Sequence, residues 1–140
     1  MKKKLLIIIP IMLIIIGVVS AFYIKGLYKD FDFKGAESVT ISDLDGKKSV
    51  KLTGEEKEYV ENFCSSKRAY SEKIEIPACF FDTVKITIKK NHIKYVIYPS
   101  NDSCRNLCIE TPTGTYYHEM RGDLDKLTSL LERHGIEWFW

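Results

Sequence analysis

The chain has 140 residues, with 21 Lys and Arg against 19 Asp and Glu, 45% hydrophobic residues and four cysteines. Setting aside Lys2, Lys3 and Lys4 leaves 18 basic residues against 19 acidic ones, so the body lacks the basic stripe needed to displace phosphate counterions, and nucleic-acid binding is excluded. Beyond the N-terminal segment roughly 105 to 110 residues remain, enough for one domain of ordinary size and too few for two.

Leu5 to Ile24 is an apolar run without a single charged side chain, led by the three lysines. At a helical rise of about 1.5 Å per residue, such a run matches the roughly 30 Å hydrocarbon core of a bilayer. It predicts one membrane-spanning helix. Pro10 and Gly17 are compatible with it, because lipid offers the backbone no partner other than its own helix. The lysines clustered at the start outweigh the dispersed Lys25, Lys29 and Lys34, so the N-terminus is expected in the cytoplasm and the remainder outside the cell membrane. Tyr23 and Tyr28 fall where the helix should leave the lipid. A secretory signal cut after Ala21 is the competing expectation, although this run exceeds the usual apolar stretch of about 7 to 15 residues. The expected division is residues 1–27 as basic tip and spanning helix, 28–36 as a juxtamembrane stalk, and 37–140 as an extracytoplasmic domain.

Glu37–Ile41 and Ser49–Leu52 read as a hairpin, with Asp45-Gly46 supplying the positive φ of its turn. Asp43, Asp45 and Gly46 also resemble the start of a calcium loop, but Lys47 stands at the next ligand position, which favours a plain turn. Thr53 and Glu56 have capping-box spacing and predict a helix ending near Ser66, with Tyr59, Val60, Phe63 and Cys64 on its apolar stripe. Ile74 and Ile76 before Pro77 suggest a strand end or an extended loop.

From Asp82 to Lys89 the sequence alternates, Val84, Ile86 and Ile88 against Thr83, Lys85, Thr87 and Lys89, as in a half-buried strand. Lys90 and Asn91 turn the chain, and Ile93, Tyr95 and Ile97 continue the pattern to Pro99. Ser100–Ser103 is a loop by composition. Leu107 and Ile109 mark another strand, Pro112–Gly114 a turn, and Tyr116–Met120 a further strand. Asp123 is placed to cap a last helix whose stripe is Leu124, Leu127, Leu130 and Leu131, with Gly135 just past its end. Ile136–Trp140 is expected to close the fold as a short strand. The fold class is α+β: an N-terminal transmembrane helix, then a mainly antiparallel sheet with two amphipathic helices on one face.

Cys64, Cys79, Cys104 and Cys108 lie in the exported part, where disulfides persist. Four cysteines permit three pairings, and sequence does not choose among them. The preferred one joins Cys79 to Cys104, both in loops at strand ends, and leaves Cys64 for Cys108. Its competitor joins Cys104 to Cys108 and Cys64 to Cys79. A bridge spanning about 25 residues contributes about 3 kcal/mol.

His92, His118 and His134 are scattered, the last beside helix-terminal carbonyls that favour a positive imidazole. Cys104, Cys108 and His118 make an incomplete zinc set, short of a fourth ligand. Asn101-Asp102-Ser103 matches a glycosylation sequon. No nucleophile elbow, metal-protease helix or cofactor motif is present in the sequence. The expected function is therefore a membrane-anchored, extracytoplasmic interaction module that binds a protein or envelope component without catalysis. Trp138, Phe139 and Trp140 are its candidate contact with lipid or partner, or else a packed edge strand. The alternatives are a thiol-active or redox-sensing envelope protein using Cys104 and Cys108, and a secreted inhibitor-like domain released near Ala21.

Overall fold

A computed structural model describes residues 2–82 and 84–138, with side chains from Ile8 onward. Helix α1 (Lys2–Leu27) is followed by β1 (Tyr28–Phe31), β2 (Ser38–Asp43), β3 (Ser49–Lys51), α2 (Gly54–Cys64) and β4 (Ser66–Ser71). Then come β5 (Val84–Lys90), β6 (Ile93–Pro99), β7 (Asn106–Thr111), β8 (Gly114–Glu119) and α3 (Leu124–Arg133). Among the described residues the strands form one eight-stranded sheet in the order β1-β4-β8-β7-β6-β5-β2-β3, antiparallel at every pairing.

Helix α1 is one continuous helix through Pro10. Its segment Ile8–Leu27 has a mean hydropathy of 2.3 and is buried nowhere against the rest of the chain. It is compatible with a membrane anchor or a signal sequence, because an apolar surface on all sides has no stable place in water.

The central strands β5 to β8 run as a meander, each apolar alternation turned toward one face. Val84, Ile86, Ile88, Ile97, Leu107, Ile109 and Tyr116 meet Val60, Phe63 and Cys64 of α2 and the four leucines of α3 in a single core. The expected placement of both helix stripes on one face holds. Asp123 caps α3, its carboxylate accepting from Lys126 N–H at 3.1 Å, and Gly135 adopts the left-handed φ of +69° expected just past a helix end. Asn91 and His92, at φ +52° and +63°, are the two turn residues between β5 and β6, as a twisted two-residue hairpin requires. Gly122 is a true close approach, since a Cβ there would lie 2.2 Å from the Phe63 ring.

Four local expectations are corrected. Residues 28–36 are not a stalk: β1 is the edge strand beside β4, and Phe31 and Phe33 are buried in the core, stacked on each other and edge-on to Tyr95. Aromatic residues that would suit a lipid boundary suit a core as well. The second correction is the capping box. Thr53 makes no side-chain cap bond, and Glu56 instead reaches α3, where it meets Arg133 at 3.2 Å and His134 at 3.0 Å. Third, β4 forms from a stretch with no strand pattern, because Ser66, Ala69 and Ser71 form its buried side and carry little hydrophobic signal. Fourth, Ile136–Trp138 form no strand. Trp138 is 4% exposed and packs in the core, while Phe139 and Trp140 lie outside the described residues.

One buried carboxylate ties the N-terminal crossing segment to the helices. Glu61 on α2 accepts from Gly35 N–H at 3.1 Å and Ala36 N–H at 3.0 Å and pairs with Lys57 at 3.2 Å. Charge and hydrogen-bond demand are thereby met inside the fold.

Candidate functional site

Strand alternation places Asn106, Cys108 and Glu110 on the face of β7 opposite Leu107 and Ile109, that is, away from the helices. Across that outer face runs one row of register partners: Tyr28 opposite Tyr70, Tyr70 opposite Tyr117, Tyr117 opposite Cys108, and Cys108 opposite Tyr98. An aromatic row of this kind is too apolar to face water alone. Its cover is the segment joining β4 to β5, residues 72–83, which forms no strand or helix among its described residues.

This strap starts beside the first residues of β8, with Glu72 N–H donating to Thr115 C=O at 3.0 Å. It crosses toward the opposite end of β7, where Asn106 Nδ2 donates to Cys79 Sγ at 3.4 Å. On the way back Phe81 packs against Tyr117, ring centroids 6.2 Å apart. Beneath it Cys108 is 8% and Tyr117 7% exposed. Burial, then the Glu110 carboxylate, pushes the Cys108 thiol up to about 12, so that thiol stays protonated and poorly nucleophilic.

The far end of the strap is fastened to the loop 100–105 by a compact set of polar contacts. Asp102 accepts from Phe80 N–H and from Cys104 N–H, both at 3.0 Å. Asn101 N–H donates to Phe80 C=O at 2.9 Å, and its amide donates to Asp82 at 2.6 Å. The Cys104 thiol lies 3.5 Å from Ala78 C=O and 3.4 Å from an Asp102 oxygen. One ligand atom each from Cys79, Asp102 and Cys104 falls within 4.8 Å of the others. That contact with Cys79, followed by desolvation and Asp102, raises the Cys104 thiol to about 12. Desolvation opposes ionisation of Asp102, but the N–H donors of Phe80 and Cys104 outweigh it and hold the carboxyl below its ordinary value.

The four cysteines are thiols in the structure, and they fall into three environments. Cys79 and Cys104 meet at the clasp. Cys64 is in the core on the helix side, and its burial pushes the thiol pKa up. Cys108 points to the other face of the sheet, so the expected partnership of Cys64 with Cys108 is corrected by the sheet that stands between them. The competing Cys64 with Cys79 fails on the same ground. The zinc set fails too, because His118 alternates with Tyr117 and so faces the helix side, whereas Cys108 faces the strap. Among the described residues, what could hold a soft cation is Cys79, Asp102 and Cys104, three donors where zinc takes four.

Two other places were visible in the sequence. The Asp43–Lys48 turn is a plain hairpin turn: Asp43 accepts from Lys48 N–H at 3.2 Å and Asp45 pairs with Lys47 at 3.1 Å. His118 lines a cavity of about 490 Å³ with Asp30, Asp32, Ser65, Lys67 and Arg121, where burial and then Arg121 lower its pKa. Sequence reasoning missed the Asp102 and Asn101 contacts, whose signal was the Asn-Asp-Ser run itself, a frequent source of side-chain to backbone bonds. Comparison with protein-family models, curated proteins and solved structures finds no match to the chain.

Proposed function

We propose that the protein is a single-pass, membrane-anchored module, its N-terminus cytoplasmic and its sheet domain extracytoplasmic, that binds a protein or envelope component without catalysis. The observation that carries this reading is α1: apolar, unburied, and running into the edge strand β1 with no residue between Leu27 and Tyr28. A domain joined so directly to a membrane helix is held against the lipid surface. Lys2, Lys3 and Lys4 ahead of the helix favour a cytoplasmic start.

The contact surface in this reading is the strap, where Ile76 and Phe80 are each 68% exposed on the segment whose Phe81 packs against the apolar row. Exposed apolar side chains grouped on one segment mark interaction sites more often than isolated ones do. Trp138 is excluded from that role by its burial.

A photo-crosslinking residue at Phe80 of the full chain, in intact cells, tests the proposal together with a compartment-restricted label on the C-terminus. Discrete crosslinked products and an external label support it. A cytosolic label overturns the topology, and a mature N-terminus beginning at Phe22 replaces the anchor with a secreted domain. The thiol-active alternative retains one favourable observation, the meeting of Cys79 with Cys104, and loses Cys108 as the second thiol.

A further inference from the structure

We propose that Cys79 and Cys104 form the chain's one disulfide, a clasp that locks the strap over the outer face and seals Cys108 beneath it, while Cys64 and Cys108 persist as thiols. The two sulfur atoms already lie within 4.8 Å of each other. Asp102 and Asn101 hold the flanking backbone of both loops in place, so bond formation needs side-chain rotation and only slight loop adjustment. Neither remaining cysteine competes: Cys64 lies in the core across the sheet, and Cys108 lies on a strand under the strap.

The bond forms by exchange with a disulfide donor, either a low-molecular-weight disulfide or an oxidised dithiol protein of the envelope. One thiolate attacks the donor, releases one donor thiol and leaves a mixed disulfide. The second cysteine then attacks the protein sulfur of that mixed bond and releases the second donor thiol. Two cysteine protons and two electrons pass to the donor, which ends as two thiols. Because the described residues of the strap form no helix or strand of their own, closure of this bond decides how often the strap lifts.

That the bond persists in the cell rests on the extracytoplasmic placement proposed above; that these two cysteines can form it does not. The test uses the full chain in detergent, mapped by mass spectrometry without reduction, first as isolated and then after equilibration with oxidised glutathione. The expected map after glutathione has Cys79 joined to Cys104, with Cys64 and Cys108 alkylated only on denaturation. Under reduction, alkylation of Cys108 accelerates about tenfold, as expected for a locally opened cover. In Cys79→Ser, Cys104 carries glutathione as a stable mixed disulfide, which shows the resolving partner has gone. Cys79 and Cys104 both remaining thiols after equilibration, a bridge that includes Cys64 or Cys108, or stoichiometric zinc protecting Cys79 and Cys104 from oxidation would each overturn the proposal. If the bond forms with glutathione but is missing from the protein as isolated, the clasp stands and the extracytoplasmic placement fails.

Discussion

One face of the sheet is covered by two helices through aliphatic and aromatic side chains, the other by a segment of irregular backbone through hydrogen bonds and ring edges. The helix-covered face buries Val84, Ile86, Ile88, Leu127 and Leu131 almost completely. The strap-covered face buries Cys108 and Tyr117, and it leaves Ile76 and Phe80 to solvent. The first face should therefore hold the fold, and the second should open without unfolding it.

The contrast breaks most visibly on the helix side. Leu131→Ala removes a fully buried side chain and should cost about 3 kcal/mol, since the surroundings relax only partly into the cavity. A denaturant titration of the full chain in detergent reads this as a lower midpoint at unchanged slope. A loss below about 1 kcal/mol would mean that α3 is not part of the main core. Glu61→Ala comes next. It strands the N–H of Gly35 and leaves Ala36 N–H only its bond to Phe33 C=O, and should cost about 2 kcal/mol, with Glu61→Gln recovering part of it through its remaining acceptor.

The same division explains what could be read from the sequence. Where burial depends on aliphatic residues in a regular period, as in Val84-Ile86-Ile88 and the leucines of α3, the elements, their faces and even the Asp123 cap were legible. Asn91 and Gly46 likewise announced their turns. Strand β4 was not legible, because its inward residues are Ser66, Ala69 and Ser71, and small residues carry almost no periodic signal. The strap was half legible: Pro77 marked an extended segment, but nothing local says which face such a segment covers. Long-range pairing sets that, since β4 joins β8 while β5 joins β6 and β2. Their loop positions favour pairing Cys79 with Cys104, whereas the separation of Cys64 from Cys108 depends on the sheet between them. The Thr53 and Glu56 box failed because a tertiary partner, His134, competes for the same carboxylate.

On the strap side the effects should be smaller and local. Phe81→Ala removes one ring contact with Tyr117 and should cost about 1 kcal/mol. Hydrogen exchange should show the change confined to residues 72–83 and the strands beneath them. Equal deprotection of α3 would mean that the strap is integral to the core and would erase the distinction between the faces.

The two faces should also respond to acid in different pH windows, and this is the mildest way to separate them. His118 lies at the rim of the helix face, with Arg121 and Lys67 as neighbouring cations and Asp30, Asp32 and Glu119 as neighbouring anions. Its folded pKa lies below the ordinary 6.5, so below that pH the unfolded chain takes up the proton first. Stability present above pH 6.5 is therefore lost progressively as pH falls toward and through the folded value. Asp102 is the mirror case in the clasp. Its folded pKa is depressed below 3.8, so the contacts it accepts from Phe80 and Cys104 persist through the window in which His118 titrates and are lost only in stronger acid. Lowering the pH should first reduce global stability, an effect absent in His118→Gln, with the amide of Phe80 still protected from exchange. Only below the ordinary carboxyl range should that amide open, and Asp102→Asn should remove this second step without touching the first. Simultaneous loss of both signals near pH 6 would show that strap and core share one cooperative unit.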